Sequence, residues 1–228
     1  MSIHLHRDLE NVQRRILALA STVEQIVEKA IRAVFDRDPV GAQEVMEGDT
    51  AIDLGENEIE EECLKILALH QPVASDLRCV AAILKINTDL ERMVDLAVNI
   101  AERAHALTRR PEVPIPATFR QMTDLTNMMV RDSLDAFLNL NTELAKRVCR
   151  LDDEVDRQNQ EIIDQVIRYM KLSPDNVDPG LLLFSASRHL ERIADHDTNI
   201  AEDVVYLVEG KIVRHHPEAL TVSELPPR

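Results

Sequence analysis

Apolar residues recur at Leu5, Leu9, Val12, Ile16, Leu19, Val23, Ile26 and Ala30, alternately four and three apart. That spacing lines one seam of a long helix and predicts a helix from about residue 4 to 36. Asp38-Pro39 has the form of a helix start, so a second helix is expected to run to His70, where Gln71-Pro72 ends it. A third pattern, from about 75 to 107, directs Leu77, Val80, Leu84, Leu90, Val94, Ala97 and Ala101 inward. Pro111, Pro114 and Pro116 cannot continue it and separate the chain into halves. The second half predicts helices at 117–140, 142–172 and 181–209, with Ser173 to Gly180 as the turn before the last. Phe119 with Met122, Met128 and Met129 is expected to fill the core.

The expected fold class is therefore all-α: six long helices in two tandem, similar three-helix bundles. The first bundle spans 1–109 and a Pro-rich linker 110–116; the second spans 117–210. The tail, 211–228, is expected to be partly extended and carries no chemistry in this reading, His215-His216 included. Composition agrees, since 45% of the 228 residues are hydrophobic, 29% are charged, and only 5 are Gly.

A formal net charge of -15 repels phosphate backbones and anionic lipid, which speaks against a nucleic-acid partner. No apolar run is long enough to span a bilayer and the start lacks the apolar core of a secretory signal, so a soluble, cytoplasmic protein is expected. Cys63, Cys79 and Cys149 are scattered and fit small buried hydrophobes better than a disulfide or zinc site. No Gly-rich phosphate loop or nucleophile motif is present.

The chain is internally duplicated. Leu90-Glu91-Arg92-Met93-Val94-Asp95 matches Leu190-Glu191-Arg192-Ile193-Ala194-Asp195 at a separation of 100 residues, and Asn99-Ile100-Ala101-Glu102 matches Asn199-Ile200-Ala201-Glu202. Helix periodicity alone would repeat the apolar positions but not the polar ones. Glu91, Asp95, Asn99 and Glu102 share one stripe of the third helix, as do Glu191, Asp195, Asn199 and Glu202 on the last. The second helix carries Asp49, Asp53, Glu56 and Glu60 in a stripe of its own, and the fifth carries Asp152 and Asp156 followed by Asn159.

Residues equally far from a hairpin turn lie at equal height in an antiparallel helix pair. Asp49 and Asp95 are each 23 residues from Pro72, and Asp53 and Glu91 are each 19. Asp152 pairs with Asp195, and Asp156 with Glu191, about a midpoint close to the Ser173–Gly180 turn. Like charges one helical turn apart cost a helix about 0.2–0.5 kcal/mol per pair, so two such clusters call for compensation. Raised carboxyl pKa values, Arg92 and Arg192, a basic partner and bound metal are the candidates, and clustered carboxylate oxygens favour metal. The bland alternative is a set of solvated acidic faces on a scaffold or dimerisation module.

With Gln71-Pro72-Val73-Ala74-Ser75-Asp76-Leu77-Arg78 and Gly210-Lys211-Ile212-Val213-Arg214-His215, the two Leu-Glu-Arg-x-x-Asp-x-x-x-Asn-Ile-Ala-Glu segments resemble the PhoU family over nearly the whole chain. The resemblance implies multinuclear metal clusters of iron, zinc, manganese or magnesium. Carried over, Asp49, Asp53, Glu91 and Asp95 would serve the first and Asp152, Asp156, Glu191 and Asp195 the second. Asn99, Glu102, Asn199 and Glu202 would be outer ligands or supports. It further implies a non-enzymatic negative regulator of the phosphate-starvation response, linking the ATPase and permease of a phosphate ABC transporter to a sensor kinase. A homodimer, held peripherally at the inner membrane by its protein partners, is part of that implication.

A carboxylate-bridged di-iron oxidase is the enzyme alternative. It needs two inward Glu-x-x-His motifs, and the chain offers only Glu102-Arg103-Ala104-His105, with Val205 at the duplicated position. His189 is a candidate support of the second site, with an ordinary helix position the equal alternative.

Overall fold

The seam of apolar residues beginning at Leu5 becomes α1 (Ile3–Asp36), with Leu5, Leu9, Val12, Ile16, Leu19, Val23 and Ala30 buried. The computed structural model describes residues 3–211 and 213. Asp38 caps the next helix, its carboxylate accepting from the Val40 N–H with Pro39 in the first turn. The expected second helix is divided into α2 (Pro39–Glu47) and α3 (Asp49–His70). Gly48 is the joint: its N–H bonds to Val45 O, and glycine is a poor helix former. Gln71 ends α3 in the left-handed region, and α4 (Ala74–Leu107) follows.

The proline segment leads to α5 (Ala117–Asn139) and α6 (Thr142–Met170), the latter capped by Asn141 through the Leu144 N–H. A short 3-10 turn, Pro174–Asn176, then opens directly into α7 (Val177–Glu209). The expected turn at 173–180 is thus half helical. Pro179 lies in the first turn, where a missing N–H costs nothing, and Gly180 packs so tightly that an added Cβ would stand 2.4 Å from Met170 Cγ.

Two expected core residues face solvent: Leu77 is 44% exposed and Met128 37%, whereas Phe119, Met122 and Met129 are buried. The expected tail, with His215-His216, lies outside the described residues except for Lys211 and a buried Val213. No strand occurs among the described residues, and no helix is long and apolar enough to cross a membrane.

In the first bundle α1, α2 and α3 pack around α4, and in the second α5, α6 and α7 pack together. One continuous apolar core joins the two. The joint is the α4–α7 pair. Arg78 Nε donates to Leu207 O, Lys85 pairs with Asp203, His196 with Asp89, Arg103 with Ser185 and Arg110 with Asp178. One residue number rises as the other falls, so the two duplicated helices run antiparallel along their whole length. They are related by an approximate twofold axis passing near the buried Val94 and Ala194. Arg37 fastens α1 to the linker by donating to Leu107 O and Arg110 O.

Candidate carboxylate arrays

Burial and mutual repulsion identify the neighbours in each array. In the first, burial raises the Glu56 carboxyl, and Glu60, Asp53 and Asp95 push it further. Glu91 is raised by burial and then by Asp95, Glu56 and Asp53, with Arg92 opposing. Asp53 and Glu56 from α3 thus face Glu91 and Asp95 from α4. Asp49 begins α3, but its side chain lies outside those described. Asn99 lies on the same stripe and donates to Asp95 O, while Glu102 pairs with Arg103.

The second array is more buried. Asp152 on α6 is pushed up to about 6 by burial and then by Asp195 and Asp156. Burial followed by Asp156 raises Asp195, against His196, Arg188 and Arg192. Glu191 is raised by burial, with Arg188 lowering it and Asp195 and Asp156 raising it. Its Oε1 accepts from Arg188 Nη1 at 2.7 Å, whereas the buried Oε2 has no hydrogen-bond partner. Glu202 lies close enough to Cys149, with Asp152, to help burial push that thiol to about 12. Asn199 reaches instead toward Asp89, 3.4 Å away.

A buried carboxylate oxygen without a donor, beside three further acids, is a donor set that suits a hard cation. Among the described residues, however, no three His, Cys, Asp or Glu side chains converge closely enough to hold one ion. The side chains stand as two facing arrays of acids. The single Glu-x-x-His is engaged elsewhere: Glu102 is paired with Arg103, and His105 Nε2 lies 3.1 Å from Arg109 Nη2. His189 bonds to Ser185 and contacts neither carboxylate row.

Glu56 was visible in the α3 stripe, but the residue equally far beyond Pro72 is Thr88 and its duplicate is Asn159, so neither comparison singled it out. A polar seam between the bundles escaped sequence reading altogether. Asp197 is fully buried, its Oδ1 accepting from Ser133 Oγ at 3.0 Å, and burial raises its carboxyl well above the usual range. Its neighbour His196 meets Asp89. The signal lay in the repeat itself, where Leu96-Ala97-Val98 becomes His196-Asp197-Thr198.

The chain matches the model of the PhoU domain twice, at residues 16–104 and 119–204. It is 40% identical over 216 residues to a phosphate-specific transport system accessory protein PhoU homolog of Pseudomonas putida, covering 94% of this chain and 84% of that one. It is 33% identical over 215 residues to the phosphate-specific transport system accessory protein PhoU of Escherichia coli, covering 94% and 89%. The crystal structure of PhoU from Pseudomonas aeruginosa superposes with a TM-score of 0.86 at 39% identity, covering 90% of this chain and 99% of that one. The phosphate transport system regulatory protein PhoU from Streptococcus pneumoniae has the same TM-score at 30% identity, with 92% and 99% covered.

Proposed function

The chain belongs to the PhoU family, and on that premise we propose that it serves phosphate-specific transport as a metal-binding, non-enzymatic accessory protein. In this reading it is a negative regulator of the phosphate-starvation response. It connects the ATPase and permease of a phosphate ABC transporter to a sensor kinase, acting as a homodimer on the cytoplasmic side of the membrane. The names of its relatives support the transport role.

One observation carries the metal reading: each half of the molecule sets carboxylates from two helices against each other without enough internal positive charge to balance them. Asp53, Glu56, Glu91 and Asp95, joined by Asp49, would hold one cluster, and Asp152, Asp156, Glu191 and Asp195 the other. Bound iron, zinc, manganese or magnesium supplies counter-charge and coordination positions for a partner's donor groups. The protein's part is to hold acids from two helices against each other on rigid elements, with Glu56, Glu91, Asp152 and Glu191 half-buried among them.

The test is binding of the purified transporter ATPase before and after chelation. Binding that needs metal, and is lost in Asp95→Ala with Asp195→Ala, supports the proposal. Binding that survives both chelation and substitution makes the arrays a plain acidic docking surface on a helical scaffold.

A further inference from the structure

The twofold that relates α4 to α7 also relates two polar clusters, and the two have diverged. In the first, Lys85 pairs with Asp203, and Asp89 accepts from His196, beside a groove lined by Leu84, Lys85, Thr88, Asp89 and Arg92. Adding or subtracting the repeat length gives the second: Ser185 for Lys85, His189 for Asp89, Arg192 for Arg92, Leu96 for His196 and Arg103 for Asp203. Both carboxylates of the first cluster have been replaced, one by an imidazole and one by a guanidinium. Arg103 Nε donates to Ser185 Oγ at 3.1 Å in the place of the Lys85–Asp203 pair.

The second cluster is positive in a protein that is otherwise strongly acidic. Arg103, Arg192 and Arg188 all stand close enough to His189 to act on it. Two carboxylates stand at its edges and must be counted: Glu102 pairs with Arg103 and Glu191 with Arg188. Arg192 is left exposed, and no acid pairs with it among the described residues. The Ser185 hydroxyl accepts from Arg103 and lies 3.2 Å from His189 Nε2. His189 Nδ1 is buried and meets no described hydrogen-bond partner. The cluster therefore holds guanidinium and hydroxyl groups on adjacent helices, with one more guanidinium, Arg192, than the acids at its edges pair with.

We infer that the Ser185, His189, Arg192 and Arg103 cluster on the α4–α7 seam is a site for a small tetrahedral oxyanion, occupying the position that Asp89 and Asp203 fill in the other repeat. Guanidinium groups and a hydroxyl supply the short, charge-assisted hydrogen bonds that a phosphoryl or sulfuryl group accepts. Arg188 and Arg192 also act on Glu191 and Asp195 of the second carboxylate array, so the site is tested with metal removed.

The test uses the full chain, stripped of metal by a chelator so that no metal–phosphate contact contributes. Inorganic phosphate, sulfate and phosphoserine are titrated by calorimetry into the wild type and into Arg192→Gln, whose exposed position spares the fold. A further variant, Ser185→Lys with His189→Asp and Arg103→Asp, rebuilds the pairing of the first repeat. The site predicts saturable binding that weakens about tenfold in Arg192→Gln and vanishes in the triple variant while helicity is kept. Tighter binding of phosphoserine than of phosphate identifies a phosphorylated side chain as the source, and equal binding a free ion. No saturable binding to the wild type, or binding that both variants retain, overturns the site.

Discussion

His196 Nδ1 lies 2.7 Å from Asp89 Oδ1 across the seam between the two bundles, with each side chain about nine-tenths buried. The pair occurs on one side of the twofold only, because the duplicates of His196 and Asp89 are Leu96 and His189. It therefore fixes the register of α4 against α7 and distinguishes the two halves.

Removing one partner of such a pair strands the other in the interior. Asp89→Ala is expected to lower stability by about 3 kcal/mol. Asp89→Leu combined with His196→Leu should recover most of that loss, because no buried polar group is then left alone. Urea unfolding of the three proteins checks both expectations.

Asp152 makes the metal-free protein pH-dependent. Its carboxyl titrates at about 6 in the fold against an ordinary 3.8, so between those values the folded chain binds the proton more tightly than the unfolded one. The metal-free protein accordingly gains stability as pH falls from 7 toward 4, by about 1–2 kcal/mol from this group once partial exposure is allowed for. Melting temperatures across that range should show the gain, and Asp152→Asn should be more stable at pH 7 with a flatter profile.

Leu140 closes α5 in the left-handed region at φ 50°, half exposed. A side chain there is strained, and its N–H already satisfies the end of the helix. Leu140→Gly should raise stability by about 0.5–1 kcal/mol, read as a higher denaturation midpoint.

Gly180 has the opposite constraint. The added methyl of Gly180→Ala would meet Met170 Cγ at 2.4 Å and Sδ at 3.0 Å, so the half-buried Met170 side chain must leave its place against α7. The expected loss is about 1–3 kcal/mol despite alanine's better helix propensity, measurable by thermal unfolding.

The helices, the duplication and the stripes of acids on each helix were legible because each depends on spacing, and spacing is written in the chain. Period and proline positions placed α1, α4, α5 and α6 nearly to their ends. The break at Gly48 was not legible, because a lone glycine inside an apolar pattern is often tolerated. Nor was the early start of α7, where Pro179 and Gly180 read as a turn until their place in the first helical turn was known. Leu77 and Met128 carried the right period but sit at the rims of their stripes. Among the carboxylates, Glu56 was legible as part of the α3 stripe but was not singled out by the duplication, whose matching residue is Asn159. The polar seam at Asp89, His196 and Asp197 was hidden because it depends on which helices cross between bundles, and no local pattern encodes that.

The most direct test of the central claim, that the two arrays bind metal, is elemental analysis of the purified protein beside a variant with Asp95→Ala and Asp195→Ala. The account predicts metal ions held by the wild type through gel filtration, lost from the variant, with both proteins equally helical by circular dichroism. Equal metal content in the two proteins, or none in the wild type after incubation with iron, zinc, manganese and magnesium in turn, would contradict it.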